Sequence, residues 1–125
     1  MDINLRTPFI LTQFFLDLLR TSQGCVINIS CDKGSRPDTG ILGYCMTKAG
    51  LEMLTKASAM ELAPLGIRVN AVAPSMVDTN LYRYAGLKDE ENKALMKRAA
   101  ANIPIQRVAR DEEVAKAVIY LTSEK

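Results

Sequence analysis

Apolar positions along the chain fall into blocks whose spacing alternates between helical and strand-like. Residues 4–20, NLRTPFILTQFFLDLLR, are so densely apolar that they predict a largely buried helix, with Pro8 inside it. Residues 24–31, GCVINISC, form a short run rich in β-branched side chains behind a glycine, the pattern of a buried parallel strand. DKGSRPDTG, residues 32–40, is turn chemistry. A helix over 43–62 follows, rich in Ala, Leu, Met, Glu and Lys and stopped by Pro64 and Gly66. The apolar strand GIRVNAVAP comes next and ends at Pro74. Strand, loop, helix and strand in this order predict a βαβ unit with a right-handed crossover, and hence the α/β class.

Residues 75–104 read as a long insertion with a helix over about 88–101, whose acidic start KDEEN and basic end MKR suit the helix dipole. RDEEVAKAVIYLTSE, residues 110–124, predicts a further amphipathic helix. Two strands are too few for a parallel sheet covered on both faces, so the chain reads as part of a larger domain with unpaired sheet edges.

Composition narrows the partners. The 125 residues are 48% hydrophobic, enough for one modest core. Sixteen basic and fourteen acidic residues are interspersed, so no basic stripe points to nucleic acid and no polybasic block to a membrane surface. Short, interrupted apolar runs and the start MDINLRT, which lacks a signal-peptide layout, predict a soluble intracellular protein, cytoplasmic by preference. Cys25, Cys31 and Cys45 form no Cys-x-x-Cys pattern and histidine is absent, which argues against both a disulfide framework and a metal site. The seven glycines include no closely spaced triplet between a strand and a helix, so no dinucleotide phosphate-binding turn is present.

The chain holds two tyrosines four residues ahead of a lysine: Tyr44 with Lys48 in GYCMTK, and Tyr84 with Lys88 in YAGLK. Such a pair shares a face only on a helix, and Gly86 marks the second as a loop. Residues 44 and 48 fall in the 43–62 helix, where they are either a catalytic pair or an ordinary tyrosine beside a solvated lysine.

Taken in order, NLRTPFILTQ, GCVINISC, YCMTKAGLEMLTKASAMELAPLGIRVNAVAPSMVDT and IPIQRVARDEEVAKAVIYL resemble the C-terminal, catalytic half of a short-chain dehydrogenase/reductase. The resemblance runs over nearly all of residues 1–125. It implies part of a Rossmann-like, doubly wound parallel sheet, NAD or NADP as cofactor, and interconversion of small alcohols and carbonyl compounds. It also implies that the glycine-rich turn belongs to an absent amino-terminal half, so the chain alone is expected to be inactive and to bind nicotinamide cofactors weakly.

By the same resemblance Tyr44 is the general acid/base and Lys48 its activator, the lysine also holding the cofactor's ribose. A tyrosine titrates near about 10, so working near neutral pH takes roughly 4 kcal/mol of preferential stabilisation of the phenolate, and a neighbouring ammonium has the right sign. Asn4 matches a helix asparagine whose carbonyl holds a relay water, and Pro8, lacking an amide, leaves that carbonyl without its usual helical donor. Pro74, Ser75, Val77 and Thr79 match the segment beside the nicotinamide, with Ser75 standing where glycine is usual and adding a Cβ at a close approach. Cys31 occupies the position of the family's substrate-binding serine, thirteen residues before Tyr44. Ser30 cannot replace it, because neighbours on a strand point to opposite faces, and a thiol is the weaker donor. The resemblance further implies a homo-oligomer built through helices 4–20 and 43–62, with Met53 and Met60 filling a core or a subunit seam. The alternative reading is a non-catalytic truncated homologue that serves as an oligomerisation subunit.

Overall fold

The computed structural model describes residues 1–123, so the Glu124 end of the expected last helix lies outside the described residues. The chain enters as a π-helical segment, Asp2–Arg6, and continues as α1 (Thr7–Phe14) and α2 (Leu16–Ser22). Strand β1 (Cys25–Ile29) leads through a short 3-10 turn to α3 (Leu42–Leu62) and β2 (Arg68–Val72). Beyond it lie β3 (Val77–Asp78), α4 (Leu81–Tyr84), α5 (Asp89–Ala101), β4 (Ala109–Arg110) and α6 (Asp111–Thr122). β1 and β2 pair in parallel from Cys25↔Arg68 to Ile29↔Val72, with α3 as the crossover. The βαβ unit and the α/β class are therefore as the hydrophobic pattern indicates. A second parallel pair, β3 with β4, aligns Val77 with Ala109 and was not legible in the sequence.

The core is small. Cys45 and Leu51 of α3 are buried with Ile67 and Val69 at the start of β2. Two polar residues, Asn28 of β1 and Thr55 of α3, are buried with them and satisfied: Asn28 donates to the Thr55 hydroxyl at 2.9 Å, and Thr55 in turn donates to the Leu51 carbonyl at 2.8 Å. Gly50 lets the amino-terminal segment close on α3, since a Cβ there would meet Leu5 Cδ2 at 2.9 Å. At the far end of α3, Gly66 turns the chain towards β2 with φ +72°, a conformation a side chain would strain.

α6 is fixed from both ends. Glu113 accepts the Arg110 amide at 2.8 Å and a forked pair of bonds from Arg107 at 2.7 and 2.8 Å, which hold its carboxyl down to about 2. Arg68 of β2 donates to the Leu121 carbonyl at 2.7 Å in the last turn.

Residues 4–20 correct the expectation of one buried helix. The helix breaks at Phe15, where φ −92° and ψ 8° separate α1 from α2, and neither piece has a buried residue. Phe14 is 78% and Leu18 65% exposed. The density of apolar residues was read correctly, but no described element covers their outer face. The inner face borders a groove of about 510 Å³ against β1, lined by Asn4, Phe15, Leu19, Val26, Ile27 and Leu51. Met53 and Met60 are likewise exposed and do not fill the core.

This apolar face and the open edges of the β1–β2 sheet predict that residues 1–125 alone self-associate in water. Sedimentation velocity over a concentration series should show species heavier than a monomer. A monomer that unfolds cooperatively at every concentration would contradict this.

Candidate active site

Tyr44 and Lys48 stand one turn apart on α3, and the Thr47 hydroxyl donates to the Tyr44 carbonyl at 2.7 Å inside that turn. Lys48 is 8% exposed although it carries a charge. Its ammonium lies 5.6 Å from the Tyr44 ring centroid and donates to the Ile29 carbonyl at the end of β1, at 2.8 Å. This is cation–π range, and the hydrogen bond offsets part of the cost of burying the charge. The competing pair does not form: Tyr84 closes α4, Lys88 precedes α5, and Gly86 between them has φ +96°.

The electrostatics of Tyr44 differ from the expectation. Its phenol is pushed up, first by burial and then by its polar contact with the Cys31 side chain. The ammonium that should stabilise the phenolate is engaged with Ile29, and burial lowers Lys48 itself, partly offset by Cys31. In this arrangement Tyr44 keeps its proton.

β1 ends in a change of side-chain direction that separates Ser30 from Cys31. Ser30 is buried and donates to Glu52 Oε1 at 3.3 Å on α3, while the half-buried Cys31 points its sulfur at Asp32 Oδ1, 3.3 Å away, on the Tyr44 side. The Asp32 amide donates to the Pro74 carbonyl at 3.1 Å, which ties the end of β1 to the loop leaving β2.

Along that loop Ser75 and Thr79 are exposed and Val77 is half-buried. The Ala109 amide donates to the Met76 carbonyl at 3.0 Å and Ala109 stands opposite Val77. In a parallel ladder of this register the amide of Val77 itself faces away from β4. Thr79 Oγ1 accepts the Leu81 amide at 3.3 Å and so starts α4.

Asn4 sits in the π-helical segment just before Pro8 and lines the same groove as Lys48. The groove meets the site at that end only, as neither Tyr44 nor Cys31 lines it. Tyr44, Lys48 and Cys31 are thus brought together, with Asn4 behind Lys48 and Pro74 bonded beside Cys31.

Sequence reasoning missed Tyr82. It lies in α4, half-buried, with its phenol pushed up first by burial and then by Cys31, while Lys33 pulls it down. The Tyr44 phenol feels Tyr82 in turn. A four-residue helix has too little periodicity to announce an inward-facing side chain. Among the described residues no group of His, Cys, Asp and Glu could hold a metal ion, and no helix is long and apolar enough to cross a membrane.

A family model described as enoyl-(acyl carrier protein) reductase matches residues 1–125. The chain is 38% identical over 125 residues to the 3-oxoacyl-[acyl-carrier-protein] reductase FabG of Aquifex aeolicus, covering 99% of itself and 48% of that protein. It is 35% identical over 126 residues to an L-xylulose reductase of Caenorhabditis elegans, at 98% and 48%. The crystal structure of a short-chain dehydrogenase/reductase of unknown function from Caenorhabditis elegans, solved with cofactor, superposes with a TM-score of 0.90 at 30% identity, covering 96% of this chain and 46% of that one. The chain spans about half the length of the curated relatives it matches.

Proposed function

The chain belongs to the short-chain dehydrogenase/reductase family, and we propose that it carries the acid/base half of an NAD- or NADP-dependent oxidoreductase that interconverts small alcohols and carbonyl compounds. The observation that carries this reading is the convergence of Tyr44, Lys48 and Cys31 at the carboxyl ends of β1 and β2, where open parallel sheets bind their ligands. The residues fit the nicotinamide end of such a cofactor. The Val77 amide faces away from β4, Lys48 has an ammonium at the site, and Thr79 leaves its side chain exposed. No glycine cluster among the seven provides a phosphate cradle.

A reduced nicotinamide held by Lys48, the Val77 amide and Thr79 would supply the hydride, with its electron pair, that a carbonyl carbon takes up. Tyr44 gives its proton to the carbonyl oxygen, so the product is an alcohol and the phenol is left as phenolate. Lys48, moving from the Ile29 carbonyl towards that oxygen, stabilises the phenolate, and Asn4 lies on the groove side from which water can return a proton. Ser75 would place a Cβ beside a bound ring, where a glycine would leave room. Three free cysteines suit a reducing, cytoplasmic setting. The exposed faces of α1, α2 and α3, with Met53 and Met60, are the proposed seam between copies in the whole enzyme.

The test is steady-state turnover of the complete enzyme carrying this chain, with acetoacetyl coenzyme A and with L-xylulose, each with NADH and NADPH. Oxidation of a reduced cofactor by either substrate is expected. In that assay Cys31→Ser should raise turnover severalfold, up to about tenfold, by offering the oxygen a hydroxyl donor, with little change in the cofactor's KM. A loss of activity in the serine variant would show that the thiol has chemistry of its own.

A further inference from the structure

Lys48 is gripped at both of its ends by consecutive residues at the end of β1. Its ammonium donates to the Ile29 carbonyl at 2.8 Å, and its main-chain carbonyl accepts the Ser30 hydroxyl at 3.4 Å. Ser30 is 3% exposed and anchored in turn, since its amide donates to the Val72 carbonyl at 2.8 Å and extends the β1–β2 ladder by one bond. A hydroxyl has one proton, and here two acceptors on α3 share it: the Lys48 carbonyl and, one turn on, Glu52 Oε1 at 3.3 Å. One buried side chain thus ties the sheet to α3 at the main chain of Lys48.

The chain then closes on the same two residues of α3. The 3-10 turn Asp32–Gly34 passes so near that a Cβ at Gly34 would stand 2.5 Å from Glu52 Oε1 and 3.0 Å from the Lys48 carbonyl carbon. Between Ser30 and Gly34 the Lys48 peptide has little freedom to shift against β1. That limits the reach of its ammonium, which sits at the end of a flexible four-carbon stem and can go only where its root allows. Lys48 is 8% exposed, and the ammonium stands 5.6 Å from the Tyr44 ring centroid. In a reaction that needs this charge at the Tyr44 oxygen, a displacement of about 1 Å can cost about 100-fold in rate.

We infer that Ser30 is a positioning residue: its hydroxyl fixes the main chain of Lys48 against the end of β1 and so sets where the Lys48 ammonium stands relative to Tyr44. The inference rests on the proposed oxidoreductase reading. Ser30 acts through Lys48, and loss of its hydroxyl strands neither acceptor. The Lys48 carbonyl keeps its place in the α3 ladder, and Glu52 is only half-buried, so water can reach its carboxylate.

The test is a double-mutant cycle in the complete enzyme, with whichever of acetoacetyl coenzyme A and L-xylulose, and of NADH and NADPH, supports turnover. Ser30→Ala removes one oxygen and should lower kcat about tenfold in the parent, yet by less than about twofold in Lys48→Met, where no ammonium is left to place. A readout independent of turnover is the nitrogen NMR signal of the Lys48 ammonium, identified by its loss in Lys48→Met. In Ser30→Ala its protons should exchange with water several times faster than in the parent. Ser30→Cys, with a side chain of similar size and a weaker donor, carries the same cycle should the alanine variant not fold. A kcat within about twofold of the parent, an equal loss in both backgrounds or an unchanged ammonium exchange overturns the assignment. Tyr44→Phe in the same assay separates the two readings: a silent Tyr44→Phe defeats the oxidoreductase mechanism, whereas a crippled Tyr44→Phe beside a silent Ser30→Ala defeats only the role of Ser30. A parent without turnover on either substrate defeats both.

Discussion

Replacing Lys48 by Met in the complete enzyme is expected to lower turnover by about 100-fold, roughly 2.7 kcal/mol of transition-state stabilisation, and to raise the cofactor's KM. Methionine keeps the length and apolar stem of the side chain and removes the ammonium. Two effects must then be weighed. The Ile29 carbonyl loses its 2.8 Å donor, a penalty of about 1–3 kcal/mol if the carbonyl were sealed from water. Ile29 is 47% exposed on an open sheet edge, so water can replace that donor and the folding cost falls towards the low end. The chemical cost has no such substitute, since a positive charge beside the phenol is what makes its ionisation affordable during turnover. A thermal melt shifted by a few degrees, together with the large loss in kcat, is the predicted pair of results. A variant that melts far below the parent but keeps its kcat would make Lys48 a structural residue. Lys48→Arg is not a neutral control, because a planar guanidinium does not reproduce a compact ammonium in a buried slot.

The direction of the Tyr44 shift has a functional reading. A phenol pushed up by burial and by Cys31 holds its proton at neutral pH and gives it up less readily than a free tyrosine. Under the proposed mechanism it becomes an effective acid only once a positive charge near the phenol is redistributed. The Lys48 ammonium, already over the ring face at 5.6 Å, is the charge placed to do so.

Much of this architecture could be read before any coordinates. The 43–62 helix appears as α3 (Leu42–Leu62) because its apolar spacing, its helix formers and its Pro64–Gly66 stop agree with one another. The choice between the Tyr44–Lys48 and Tyr84–Lys88 pairs was likewise decided by a local fact, the glycine at 86. Other features depend on tertiary meetings that no window of sequence contains. The break at Phe15 carries no proline or glycine signal, and β3 and β4 are two residues each, shorter than any alternation can reveal. The burial of residues 4–20 was overestimated because apolar density announces a face that wants covering and says nothing about what covers it. The sign of the Tyr44 shift was missed because it depends on burial and on a polar contact with Cys31, while Lys48 bonds to Ile29, nineteen residues away. The opposite directions of Ser30 and Cys31, in contrast, follow from strand geometry alone and were legible.

Whether Tyr44 delivers the proton in a nicotinamide-dependent reduction is tested most directly by the pH dependence of kcat for the parent and for Tyr44→Phe. The substitution keeps the ring against Lys48 and removes the proton at the reacting oxygen. Tyr44→Phe in the complete enzyme is expected to be slower by about 100-fold or more at neutral pH. Parent activity is also expected to fall only above the ordinary tyrosine range, where Tyr44 loses the proton that burial and Cys31 hold on it, while the residual activity of Tyr44→Phe stays flat over the same range. A Tyr44→Phe variant within a few-fold of the parent, with the same alkaline limb, would contradict the account and leave Tyr44 as one more half-buried aromatic on α3.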